Sequence, residues 1–116
     1  MKKAYLQECP PVLREYLGYT ETIKGRSGNT VDEYFIDLRT FFRYIKQIRG
    51  LCPAAAGPDE NISILGVDMA LIRSVTLNDV YEFMNYLKTE RHNTSKTRAR
   101  KTTSLRMFFR YLTDYK

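Results

Sequence analysis

The sequence predicts an all-α fold, and three observations predict it. Apolar residues recur at i, i+3, i+4 and i+7 in separate stretches of the chain, the spacing that lines one face of a helix. No stretch alternates apolar and polar residues as a half-buried strand does. Residues that cap helices stand where those stretches begin, and glycines stand where some of them end. At 116 residues the chain has the length of a single domain, enough to bury a core without metals or disulfides.

The elements follow in order. Residues 1–10 read as a loosely held arm. Pro10 and Pro11 suit a helix entrance, where a missing N–H costs little. Val12, Leu13, Tyr16, Leu17 and Ile23 then fall on one side and predict a helix over 11–24, ended by Gly25. Arg26–Gly28 form a short turn, and Asn29 or Thr30 can cap the next helix through a side-chain oxygen. Asp32 and Glu33 follow in its first turn, where the dipole favours acids. Val31, Tyr34, Phe35, Leu38, Phe41, Phe42, Ile45 and Ile48 make the longest stripe and predict a helix over 30–49. Asp37, Arg39, Thr40, Arg43 and Gln47 lie opposite, with Ile36 alone among them. After Gly50, the prolines and small residues of 51–66 predict a loop under which Ile62, Ile64 and Leu65 tuck. Asp68 caps a short helix over 69–73. Thr76 and Asp79 have capping-box spacing, and Leu77, Val80, Tyr81, Met84 and Leu87 predict a helix over 77–91. Glu90–Asn93 are a polar break before a last helix over 94–114.

That last helix changes character halfway. Its first half carries Lys96, Arg98, Arg100 and Lys101, and its second half carries Leu105, Phe108, Phe109 and Leu112. At about 100° per residue the apolar four share one side, while Lys96, Arg100, Thr103 and Arg110 share the other, with Arg106 at the boundary. A helix anchored by its C-terminal half would present a basic N-terminal half, with its positive dipole end, to a polyanion. The plain alternative for a charge run is a solvated face.

Composition narrows the classes. Lys and Arg number 19 against 13 Asp and Glu, a formal charge of +6, which favours an anionic partner. Cys9 and Cys52, each beside a proline, read as ordinary thiols of a cytoplasmic protein rather than a disulfide framework. The lone His92 reads as a surface residue and cannot complete a Cys/His zinc set. No metal and no cofactor is expected. No signal peptide follows Lys2 and Lys3, and no stretch approaches the roughly 20 apolar residues of a membrane span. No glycine-rich phosphate loop, paired-carboxylate site or Ser/His/Asp set stands out. With no such set, catalysis by this chain is not expected; the tyrosines sit mostly at core spacing.

Three stretches resemble a known family. Residues 27–45, S-G-N-T-V-D-E-Y-F-I-D-L-R-T-F-F-R-Y-I, are similar to the S-x-N-T-x-x-x-Y-x-x-D-L-x-x-F helix of the tyrosine recombinases, the phage integrase and Xer-type family. Residues 75–87, V-T-L-N-D-V-Y-E-F-M-N-Y-L, are similar to its I/V-T-x-x-D-V/I-x-x-F-x-x-x-L helix. Residues 100–112 resemble its R-x-L-S-x-L-R-x-F-F-R-Y-L helix, with Thr102 in place of the family's leucine. Gly28 replaces a usual proline, and the loop at 51–66 is longer than typical. The likeness covers about residues 11–116.

The resemblance implies a four- to five-helix orthogonal bundle, the SAM-like core-binding domain of integrases. Such a domain clamps one side of a recombination site, opposite a catalytic domain that would begin after Lys116. The chain is therefore expected to be part of a longer protein. The implied partners are double-stranded DNA, the chain's own C-terminal catalytic domain and other recombinase protomers on DNA. The starts of the 30–49 and 94–114 helices would approach the major groove. The DNA-facing candidates are Asn29, Thr30, Ser95, Lys96, Arg98, Arg100, Lys101, Thr103 and Arg106. The cations among them can neutralise phosphates. Thr30, Ser95 and Thr103 are short donors, and Asn29 could cap, meet phosphate or read an adenine edge. The competing readings are a free-standing helical DNA-binding regulator and a helical protein-interaction module.

Overall fold

In the computed structural model, residues 1–51 and 62–116 are described. Among them there are helices and turns and no strand. Most of the predicted loop, including Cys52, Pro53 and Pro58, lies outside the described residues. The chain groups into two compact units, Met1–Ser74 and Val75–Lys116.

The first unit begins with a correction. The expected loose arm is a short helix, α1 (Lys3–Glu8), followed by fully buried Cys9. Residues of the next long helix hold it. The Glu8 carboxylate meets Arg39 at 3.0 Å and Arg43 at 3.4 Å. The Tyr5 ring lies 4.9 Å from Phe35, and the Arg39 guanidinium sits 5.3 Å from both rings. Arg39 and Arg43 therefore occupy themselves with α1 instead of facing solvent.

Helix α2 (Pro11–Thr22) starts on Pro11 and buries Leu13, Tyr16, Leu17 and Thr20. The Thr20 hydroxyl donates to the Tyr16 carbonyl at 3.0 Å, which satisfies it within the helix. Ile23, expected on the apolar stripe, is 71% exposed because the helix has already ended. Gly25, at φ 68°, makes the left-handed turn that follows.

Helix α3 (Gly28–Ile48) packs on α2. Ser27, not Asn29 or Thr30, is its cap: the Ser27 oxygen accepts the Thr30 N–H at 3.2 Å, so the helix starts earlier than expected. Val31, Phe35, Leu38, Phe41, Phe42 and Ile45 are buried, as the stripe predicts. Ile48, in the last turn, is 48% exposed. Asp37, placed opposite by periodicity, is fully buried, and so is most of Tyr44. This helix is enclosed on more than one side. Arg43 also reaches backbone beyond the helix, as do Lys46 and the C-cap residue Arg49. Arg43 Nε donates to the Ile62 carbonyl at 2.8 Å, Lys46 to Ser63 at 2.9 Å and Arg49 to Ser74 at 2.8 Å. Ile62, Ile64 and Val67 are buried beneath this stitching, while Leu65 sits exposed at a turn. Asp68 caps α4 (Met69–Arg73) by accepting the Leu71 N–H at 2.9 Å.

The second unit is a helix pair. Helix α5 (Leu77–Thr89) opens with the expected capping box: Thr76 accepts the Asp79 N–H at 3.1 Å, and Asp79 accepts the Thr76 N–H at 2.9 Å. Its buried residues are Phe83 and Leu87. Leu77 and Tyr81, expected on the stripe, are 66% and 63% exposed. The buried face is thus turned toward Val80, Phe83 and Leu87, the apolar positions of the 75–87 motif. Helix α6 (Ser95–Tyr115) packs on α5. The Thr102 hydroxyl donates to the Arg98 carbonyl at 2.9 Å, and its oxygen lies 3.1 Å from the Met84 sulfur between the two helices, a polar residue at the position where the family motif has leucine.

Candidate nucleic-acid interface

The way α6 begins decides what its basic half presents. After α5 the chain turns at His92, whose φ of 53° is left-handed. The Asn93 N–H then donates to the Leu87 carbonyl at 2.9 Å, folding the break back on the end of α5. Thr94 caps α6 by accepting the Thr97 N–H at 3.2 Å. The Arg98 guanidinium reaches back one turn, donating to the Asn93 carbonyl and to the Ser95 hydroxyl oxygen.

The second half of the helix supplies the anchor. Ser104, Leu105, Phe108, Tyr111 and Leu112 are buried and Phe109 is half-buried. Opposite them, Ser95, Lys96, Ala99, Arg100, Thr103, Arg106 and Arg110 are exposed. From Ser95 to Thr113 the helix contains no acidic residue. At 1.5 Å per residue, the strip from Lys96 to Arg110 is about 21 Å long. Four exposed cations therefore share one outward side of a helix whose N-terminal dipole adds to their field.

The sequence candidates divide once placed. Lys96, Arg100 and Arg106 are exposed on the strip, and Ser95 stands at its head. Arg110, which lay on the polar side in sequence but outside the candidate set, joins them. Thr103 is exposed, but its hydroxyl donates to the Ala99 carbonyl at 3.1 Å, so its hydrogen is directed at the helix backbone. Arg98 is half-buried and turned toward Asn93 and Ser95. Lys101 is the clearest departure, at 7% exposure on the buried side. The signal was available: Lys101 precedes Leu105 by four residues and Phe108 by seven, which puts it on their face.

Asn29 and Thr30 belong to the other compact unit and are described within it. Asn29 is exposed in the first turn of α3. Because Ser27 does the capping, the Asn29 amide is not engaged in it. Thr30 is half-buried, and its hydroxyl oxygen accepts from Ser27 at 3.0 Å.

Other chemistry is sparse. Burial pushes the Cys9 thiol up to about 11 against the opposing pull of Arg14, so it stays protonated and unreactive near neutrality. Burial likewise raises the Tyr16 phenol, against a hydrogen bond with Thr20. A largely apolar hollow of about 200 Å³ in the first unit is lined by Leu6, Leu17, Gly18 and Val31, with Arg14 and Glu21 at its edge. Among the described residues no group of three His, Cys, Asp or Glu could hold a metal ion, and no helix is long and apolar enough to cross a membrane.

Three curated proteins are similar to this chain. Tyrosine recombinase XerC of Caldanaerobacter subterraneus subsp. tengcongensis is 47% identical over 103 residues, which is 89% of this chain and 29% of that protein. Tyrosine recombinase XerC of Herpetosiphon aurantiacus is 30% identical over 100 residues, 86% of this chain and 26% of that protein. Tyrosine recombinase XerD of Shewanella oneidensis is 31% identical over 116 residues, the whole of this chain and 31% of that protein. The chain thus spans less than a third of the length of these relatives. No protein-family model matches it, and no solved structure matches it significantly.

Proposed function

Since the chain belongs by homology to the tyrosine recombinases of the XerC and XerD kind, we propose that it is the DNA-binding half-clamp of such an enzyme. In this reading it is one SAM-like core-binding domain that holds duplex DNA while a separate catalytic domain breaks and rejoins strands. Its partners are a recombination site, that C-terminal catalytic domain and further protomers on the same DNA, in the cytoplasm. It performs no strand cleavage itself.

The observation that carries the proposal is the acid-free outward strip of α6, with Lys96, Arg100, Arg106 and Arg110 exposed. Phosphate neutralisation by such cations releases counterions, so binding weakens steeply as salt rises. Asn29 at the head of α3 is the candidate for contact with a base edge or a phosphate. A half-clamp alone is expected to bind with a Kd of about 10⁻⁴–10⁻⁶ M at physiological salt. The second half would add affinity by linkage rather than by new contacts here.

The test is a fluorescence-anisotropy titration of a labelled duplex at several salt concentrations. Salt-dependent binding supports the proposal; absence of binding at 50 mM salt would refute it. The exposed Leu77 and Tyr81 of α5 favour a second reading, a helical module that docks another protein. That reading expects association indifferent to salt and no affinity for DNA.

A further inference from the structure

Arg98, in the basic half of α6, reaches back to the turn before the helix and to its first residue. Its guanidinium donates to the carbonyl of Asn93, in the turn, and to the hydroxyl oxygen of Ser95, the first residue of the helix. These two acceptors lie on either side of the Thr94 cap. The planar guanidinium can serve two acceptors at once in a fixed geometry, which a lysine ammonium on its flexible stem cannot reproduce. Three observations make that stitch consequential. The turn it closes contains a non-glycine residue, His92, at φ 53°. The side-chain oxygen of Asn93 is buried without a hydrogen-bond partner, although its amide nitrogen donates to the Arg91 carbonyl at 3.3 Å, so one buried acceptor of the turn is left unsatisfied. And Lys96, the leading cation of the exposed strip, stands between Ser95 and the Thr97 amide that Thr94 caps.

We propose that Arg98 is a positioning residue for the DNA contact and not itself a phosphate ligand: it locks the α5–α6 turn so that Ser95 and Lys96 are presented in a fixed register. The inference rests on the DNA-binding reading above and changes the role of one of its candidates. A direct ligand contributes its charge, and lysine replaces most of that contribution. A positioning fork contributes geometry, and lysine does not replace it. A direct ligand also acts independently of Lys96, whereas a positioning residue acts through it.

The experiment measures duplex affinity for the wild-type protein, Arg98→Lys, Arg98→Ala, Lys96→Ala and the Arg98→Ala/Lys96→Ala double variant. Amide hydrogen exchange of the DNA-free proteins runs alongside. Both Arg98 variants are expected to bind about tenfold more weakly, with Arg98→Lys no better than Arg98→Ala. The double variant is expected to be no weaker than the worse single variant, since the two substitutions remove one contact. In the absence of DNA, the amides of Thr97 and of position 98 should exchange at least about threefold faster in both Arg98 variants, while those of Leu105–Leu112 keep their wild-type rates. Uniformly faster exchange along α6 would mean a purely structural role and would overturn the proposal. Wild-type affinity in Arg98→Lys, or additive losses in the double variant, would identify a direct phosphate contact and overturn it too. Unchanged exchange at Thr97 would overturn it whether or not DNA binds. If the wild type bound no DNA, the half-clamp reading would fall while the exchange data still judged the stitch.

Discussion

Arg100 and Lys101 are adjacent in sequence and opposite in placement, and alanine substitutions should separate their roles. Lys101 is 7% exposed and shares the face of Leu105 and Phe108. Truncating it to alanine removes three methylenes from that side. At about 0.8 kcal/mol per buried methylene, the loss is about 2 kcal/mol. For a chain of this size that lowers Tm by roughly 6–10 °C. Arg100 is exposed, so its truncation should change stability by no more than about 0.5 kcal/mol. Its effect belongs in binding. Four exposed cations, Lys96, Arg100, Arg106 and Arg110, predict a slope of log K against log salt of about −3.6. Between 50 and 200 mM salt that is a loss of about 150-fold in affinity. Arg100→Ala should flatten the slope to about −2.7, a loss of about 40-fold over the same range. Lys101→Ala, measured well below its Tm, should keep the steeper slope. Thermal unfolding and a salt series of anisotropy titrations read both quantities on both variants. A Lys101→Ala protein with unchanged Tm and a flattened slope would refute the reasoning, because Lys101 would then be reaching phosphate.

Three further outcomes follow from particular contacts. Glu8→Ala removes the shared carboxylate partner of Arg39 and Arg43. Because Glu8 is partly exposed, the loss should be about 1 kcal/mol, with faster amide exchange in α1, and the difference should shrink in 1 M salt. Phe83→Ala should cost about 3–5 kcal/mol and Tyr81→Ala under about 0.5 kcal/mol by urea unfolding, since the first is buried and the second 63% exposed; the reverse ranking would restore the periodicity-based register. The Cys9 thiol is raised from 9.0 to about 11 by burial, and the native state therefore favours its protonated form. The stability this carries is complete below about pH 9 and is lost as pH rises toward 11, so unfolding at pH 10.5 should cost about 2 kcal/mol less than at pH 8. Cys9→Ala should remove that share of the alkaline loss.

The parts of the fold that were legible in sequence are those set by local chemistry. Asp68 and the Thr76–Asp79 pair announce helix starts because their side-chain oxygens satisfy backbone N–H groups within three residues. The α3 stripe is legible because six large apolar residues repeat without interruption. What periodicity missed depends on contacts distant in sequence. Residues 1–10 look like a tail until Glu8 is set against Arg39 and Arg43, over thirty residues away. The α5 stripe holds at buried Leu87 and half-buried Val80 and Met84, but Leu77 and Tyr81, apolar enough to pass as core, are exposed, and Phe83, outside the stripe, is buried. At α3 the sequence points to Asn29 or Thr30 as the cap, yet Ser27, read as part of the turn, takes that place, because composition alone does not choose among nearby side chains able to cap.

The basic stretch of α6 shows why counting charges over-reads a site. Lys96, Arg98, Arg100 and Lys101 look equivalent as a run, yet a helix turns each residue by about 100° and cannot present all four on one side. Lys96 and Arg100 are one turn apart and stay together. Lys101 is carried round to the apolar face, and Arg98 is carried toward the turn, where an arginine fork has two acceptors within reach. The same rotation brings Arg106 and Arg110 onto the strip from beyond the run. An electrostatic surface built this way follows the helix face and not the sequence cluster. Its salt dependence should therefore report the number of outward cations, which two residues of the run do not join and two residues outside it do.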